Sequence, residues 1–189
     1  MNTFRYSPSR IGQPIATLAL LTMMVQTTRA QYVYIPDPAM RDWLNLNVPG
    51  VVNGDGNMDT TYAGIADFTD GAIITSNSNG PTDMTGLQYL HGLTRLNMMW
   101  LDIPGTVGDA FPPNLSILSL NALGPVFIPA LPMNLEHLEL VAGVPLDMPE
   151  LPAGLESLTA SGAWTGGAWA TLPSQLRALS LTSMPVVSA

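Results

Sequence analysis

Leu135-Glu136-His137-Leu138-Glu139-Leu140 is a short block that recurs along the second half of the chain. Its companions are Leu93-Thr94-Arg95-Leu96-Asn97-Met98, Leu115-Ser116-Ile117-Leu118-Ser119-Leu120, Leu155-Glu156-Ser157-Leu158-Thr159-Ala160 and Leu176-Arg177-Ala178-Leu179-Ser180-Leu181. The blocks open on Leu93, Leu115, Leu135, Leu155 and Leu176, which are almost evenly spaced. A period of roughly 20 residues marks a repeat architecture. Counting back from Leu93 by the interval that separates it from Leu115 reaches Gly71. The stretch Gly71-Ala72-Ile73-Ile74-Thr75-Ser76 reads as a decayed earlier copy, giving five to six units.

Numbering each block from its first leucine, positions 4 and 6 are mostly aliphatic and alternate with mostly polar residues. That period of two predicts a short strand with Leu118 and Leu120 on one face and Ser119 and Asn121 on the other. Between blocks lie Phe111-Pro112-Pro113, Ile128-Pro129-Ala130-Leu131-Pro132, Met148-Pro149-Glu150-Leu151-Pro152 and Thr171-Leu172-Pro173. Proline fixes φ and lacks a donor, so these segments are expected to run extended on the opposite side. Stacked units then pair like strands in a parallel sheet and line up their inward leucines in one column.

The blocks resemble leucine-rich repeats, whose pattern is L-x-x-L-x-L-x-x-N-x-L. The short period with Leu-Pro-x-Leu-Pro-like segments is similar to the bacterial subtype with a polyproline-like convex side. This resemblance covers about residues 71 to 183. It implies a leucine-rich repeat solenoid with short parallel β-strands on the concave face, extended convex segments and a small helical N-terminal cap. The asparagine that the family places at position 9 is replaced by Leu101, Leu123, Gly143, Ala163 and Met184.

Ahead of the repeats, Tyr34 to Leu46 predicts a short helix: Asp37 can cap it, Pro38 suits its first turn, and Met40, Trp43 and Leu44 form an apolar stripe. A solenoid needs its first coil covered, and this helix is the expected cap. Together with Asn53-Gly54-Asp55-Gly56-Asn57, Ile65-Ala66-Asp67 and Thr85-Gly86-Leu87-Gln88-Tyr89-Leu90, the segment is similar to the start of exported leucine-rich repeat proteins of Bacteroidota-type bacteria.

Residues 1 to 30 have the layout of a secretory signal peptide. Arg5 and Arg10 precede an apolar run from Ile15 to Val25, and Thr28 and Ala30 stand before an expected cut at Gln31. The run is about half the ~20 residues of a membrane span, so no transmembrane segment is expected. The predicted division is therefore signal peptide at 1–30, cap at 31–70 and repeats at 71–189, with the protein secreted or on the cell surface.

The chain has 189 residues, no cysteine, no lysine and a net charge of −8. Cutting before Gln31 removes three of the six arginines and no acid, so the mature charge becomes −11. Such an acidic chain is a poor ligand for nucleic acid, because phosphate binding relies on Lys and Arg. The lack of cysteine excludes disulfides, thiolate metal sites and a cysteine nucleophile. With 47% hydrophobic and 11% charged residues the chain can build a core, and it must be held by packing alone.

Two groups of residues are candidate sites. Asn53, Asp55, Asn57 and Asp59 alternate oxygen-bearing side chains, a spacing that can wrap Ca²⁺ but that also makes an ordinary Asn/Asp/Gly turn. The twelfth position counted from Asn53 is Gly64, where bidentate coordination needs a glutamate. The resemblance places ligand binding on the exposed strand face, where Arg95, Asn97, Met99, Trp100, His137 and Glu139 form the larger cluster among small hydroxyl residues.

Catalysis finds little support: the histidines are His91 and His137, and no Gly-x-Ser-x-Gly elbow occurs. The expected function is a non-enzymatic protein that binds a protein or glycan partner at the cell exterior through its strand face. The alternatives are a truncated repeat fragment with no ligand of its own, and a secreted glycan hydrolase using paired acids. The stretch from Leu181 to Ala189 carries no polar cap, so self-association through that end is a further expectation.

Overall fold

The computed structural model describes residues 31–74, 80–101, 105–106, 111–124, 126–128, 130–147, 150–165 and 172–183. The signal-peptide expectation for residues 1 to 30 lies outside them. In chain order the elements are β1 (Tyr32–Tyr34), α1 (Pro38–Asn47), β2 (Asn57–Asp59), α2 (Gly64–Asp67) and β3 (Asp70–Ile74). A 3₁₀ turn (Leu87–Tyr89) follows, then β4 (Arg95–Leu101), β5 (Gly105–Thr106), β6 (Ile117–Ala122), β7 (Val126–Phe127), β8 (His137–Asp147), β9 (Ser157–Thr165) and β10 (Ala178–Ser183).

Six strands, β3, β4, β6, β8, β9 and β10, lie side by side in chain order in one parallel sheet, a solenoid-like stack. The register aligns Leu96, Leu118, Leu138, Leu158 and Leu179 across five of these strands, as the period predicts. Met98, Leu120, Leu140, Ala160 and Leu181 form a second row. From Leu96 to Ala160 both rows are buried and belong to one continuous core. Between the main strands, β5 and β7 pair in parallel as a separate two-stranded sheet.

A single proline-led turn is reused at the entrance to four successive strands, β6, β8, β9 and β10. The amides of Leu115, Leu135, Leu155 and Leu176 donate to the carbonyls of Pro112, Pro132, Pro152 and Pro173, in that order. Proline suits the first place of that turn because only its carbonyl is needed there. The next peptides stack coil on coil: the Ser116 carbonyl accepts from the amides of both Glu136 and His137, and the Glu136 carbonyl from those of Glu156 and Ser157.

The first coil departs from the sequence reading. Gly71 pairs with Leu96 and Ile73 with Met98, so Gly71 stands at position 4 rather than position 1, and the first coil is longer than an even period assumes. Phe68 takes the place of the first leucine. A Cβ on Gly71 would lie 2.8 Å from Cζ of Phe68, so the glycine makes room for the ring.

Helix α1 covers this end. Asp37 caps it as expected, its Oδ1 accepting from the amides of Ala39 and Met40, while Met40 and Leu44 are buried in the core. Trp43 packs edge-on to Phe68 with ring centroids 5.9 Å apart, and its indole N–H donates to the Ala72 carbonyl on β3 at 2.7 Å. The cap thereby takes an acceptor on the outer edge of the first strand.

Asparagine does recur in the solenoid, at the turn before position 1 instead of at position 9. Nδ2 of Asn114 donates to the His91 carbonyl at 2.7 Å, and Nδ2 of Asn134 to the Pro113 carbonyl at 3.1 Å, each tying one coil to the coil before it. In the next coil the equivalent residue is Gly154, where a Cβ would face only the Met133 carbonyl, at 3.9 Å. Gly154→Asn is therefore expected to stabilise the fold by about 1 kcal/mol, from one added hydrogen bond and a less flexible unfolded chain. Thermal melts should register this as a rise of about 2 to 4 °C. Gly92 occupies the same place one coil before Asn114. There a Cβ would fall 2.2 Å from the Ile65 carbonyl oxygen, so α2 leaves no room for asparagine.

Candidate functional site

The face of the sheet opposite the core carries the odd-numbered repeat positions. At position 3 the order across the sheet is Asp70, Arg95, Ile117, His137, Ser157 and Ala178. At position 5 it is Ala72, Asn97, Ser119, Glu139, Thr159 and Ser180. Arg95, Asn97, His137 and Glu139 thus share one face, but the two strands that bear them are separated by β6. Strand spacing puts about 10 Å between the Arg95 and His137 columns, with Ile117 and Ser119 in between.

Each of these groups has its own local setting. Arg95 Nε lies 3.9 Å from Asp70 Oδ2, and both side chains are more than half exposed, so this pair adds little stability. Glu139 Oε2 accepts from the Ser119 hydroxyl at 2.9 Å, which links the middle two strands. Asn97 is half-buried, and its Oδ1 is shielded from solvent without a hydrogen-bond partner. An unmet buried acceptor costs about 1 to 3 kcal/mol.

Met99 and Trp100 depart from the simple columns. Arg95 to Met98 pair residue for residue with Ile117 to Leu120, but Leu101 then pairs with Ala122, so β4 holds one residue more than β6. This bulge sets two residues, Met99 and Trp100, against the single Asn121 and re-aims the end of the strand. It also moves Leu101 to the eighth structural position instead of the ninth. Met99 is half-buried beside Ile74 of β3. The Trp100 backbone belongs to β4, and its side chain lies outside the described residues.

Asp70 is the member of this face that sequence reasoning missed. The signal was available: a first interval slightly longer than the others puts Asp70 at position 3, beside Arg95. Ser119 was legible as an outward residue, but its bond to Glu139 depends on the side-chain rotamers.

The Asn53 to Asp59 segment forms a tight hairpin, with the Asn53 amide donating to the Asn57 carbonyl. Asn53 Oδ1 accepts from the amides of Asp55 and Asn57, each at 3.0 Å, and Asp59 Oδ1 accepts from the amide and hydroxyl of Thr61. Two of the four side-chain oxygens are thus turned toward N–H and O–H groups, the chemistry of an Asx turn. Among the described residues no group of three or more His, Cys, Asp or Glu is placed to hold a metal ion. No helix among them is long and apolar enough to cross a membrane.

Compared with family models, curated proteins and solved structures, the chain gives no match.

Proposed function

We propose that this chain is an exported leucine-rich repeat protein of the short, proline-bearing type, and that its outward strand face binds a protein or glycan partner without catalysing a reaction. The repeat identity rests on the leucine register together with the proline-led turn that opens four successive strands. The signal-peptide layout of the sequence over residues 1 to 30 supports export. The observation that carries the binding role is the outward strand face itself, on which Arg95, His137 and Glu139 stand exposed and in register. They supply a guanidinium on β4 and an imidazole and a carboxylate on β8, with Ser119 of β6 between them and small hydroxyl residues around. Such a surface recognises a partner by hydrogen bonds and shape.

The test is to capture a partner from extracellular extracts on the immobilised protein and to repeat the measurement with Arg95, Asn97, His137 and Glu139 all replaced by alanine. Removing several central polar contacts is expected to weaken binding by about 100-fold or more. Unchanged affinity, with a native circular dichroism spectrum, overturns the assignment of the face.

A further inference from the structure

The two edges of the six-stranded sheet are not alike. At the β3 edge, α1 covers the core and Trp43 takes the Ala72 carbonyl. At the β10 edge no strand among the described residues pairs with the outer side. Leu179 and Leu181, whose equivalents on β9 are buried, are 46% and 53% exposed. We propose that β10 pairs with the β10 of a second copy of this chain, antiparallel and about a two-fold axis at Ser180, to make a continuous twelve-stranded sheet. This inference is independent of the partner assigned to the strand face.

The geometry selects both the occupant and the register. Head-to-tail stacking is disfavoured, because at the β3 edge that would receive β10 the indole of Trp43 already occupies the outward Ala72 carbonyl. That leaves the isologous arrangement, in which one patch meets itself. The Ala178 amide donates inward to the Glu156 carbonyl, and backbone groups alternate sides along a strand, so the free edge presents the N–H and C=O of Leu179 and Leu181. Antiparallel pairing of Leu179 with the partner copy's Leu181 satisfies those four groups on each chain. The same register keeps the leucines of both copies on the core side and sets Ser180 opposite itself.

Charge points the same way. The chain carries −8, so two copies repel over most of their surface. The sequence of β10, Ala178-Leu179-Ser180-Leu181-Thr182-Ser183, holds no charge and no proline, the residues that guard exposed edges elsewhere. The nearest charge, Arg177, is held 3.7 Å from Glu156 of its own chain. One strand pair is a small contact, so the dimer is expected at concentrations on the order of 10 µM and above.

The experiment is sedimentation velocity on the purified protein, on Ser180→Glu and Ser180→Lys, and on an equimolar mixture of the two variants. Ser180 is exposed and faces away from the core, so both variants keep the fold, which circular dichroism checks. The wild type should dimerise with rising concentration. Each variant places a like charge against itself and should self-associate at least about tenfold more weakly, and the mixture should recover a heterodimer. A wild-type monomer up to about 500 µM overturns the proposal. So does a dimer that neither variant weakens, or a mixture that stays monomeric.

Discussion

Leu138→Ala is expected to destabilise the protein by about 3 to 5 kcal/mol, close to the limit a domain of this size tolerates. Leu138 is 2% exposed and lies between Leu118 and Leu158 in the central leucine row. Truncation removes its transfer energy and leaves a cavity that a sheet fixed by backbone bonds on both sides cannot collapse. Leu179 holds the same repeat position on the edge strand and is 46% exposed, so Leu179→Ala should cost only about 1 kcal/mol. Urea unfolding followed by tryptophan fluorescence measures both. Equal losses at the two sites would show that the repeat position, rather than its place in the stack, decides the cost, and a continuous core would then be the wrong description. If β10 pairs with a second copy, the cost of Leu179→Ala should also grow with protein concentration, because dimerisation stabilises the folded state by mass action.

The legible part of this molecule is the part written in period. The near-even spacing of Leu93, Leu115, Leu135, Leu155 and Leu176 becomes a strand register without a shift at Leu118, Leu138, Leu158 and Leu179. Asp37, Pro38 and the stripe of Met40, Trp43 and Leu44 are legible for a similar reason, since capping and helical spacing are local. What escapes is fixed by contacts distant in sequence. Gly71 reads as a position-1 residue because counting assumes a constant period, whereas the Phe68 ring and the covering Trp43 allow a longer first coil. The bulge in β4 leaves no mark in the sequence, so the pairing of both Met99 and Trp100 against Asn121 is not foreseen by counting. The lack of an asparagine ladder at position 9 is plain in the sequence. Its partial replacement by Asn114 and Asn134 is easily overlooked, because the family pattern directs attention to the other end of the strand.

The candidate site follows the same division. Which side chains share the outward face follows from alternation, and so from the sequence. Which of them touch does not: Glu139 bonds to Ser119, and Arg95 faces Asp70. The exposed cluster is therefore two separate polar pairs, with Asn97 between them.

Asp37 should be the costliest polar residue to replace, because one carboxylate ties the start of α1 to Thr82 and Asp83. Its Oδ1 caps α1, and its Oδ2 accepts from the Thr82 amide at 2.6 Å, the Thr82 hydroxyl at 3.0 Å and the Asp83 amide at 3.1 Å. The chain after β3 is thus strapped to the helix that covers β3. Partial burial pushes the carboxyl up, but the bonds from Thr82, Asp83 and Ala39 outweigh it and hold the group below its ordinary value near 3.8. Asp37→Asn keeps an oxygen for the cap but cannot accept with its amide nitrogen, so it should lose the strap alone, about 1 to 2 kcal/mol. Asp37→Ala loses both functions, about 2 to 3 kcal/mol.

The pH dependence follows from the depressed folded-state value. The unfolded carboxyl takes up its proton first as pH falls, so the strap contributes fully above about 3.8 and is lost as pH drops through the lower folded value. Urea midpoints for wild type and Asp37→Asn should therefore differ most at neutral pH and converge below pH 3.8. A gap that stays constant down to strong acid would mean that the carboxylate's charge contributes nothing, and that only its shape holds the cap to the first coil.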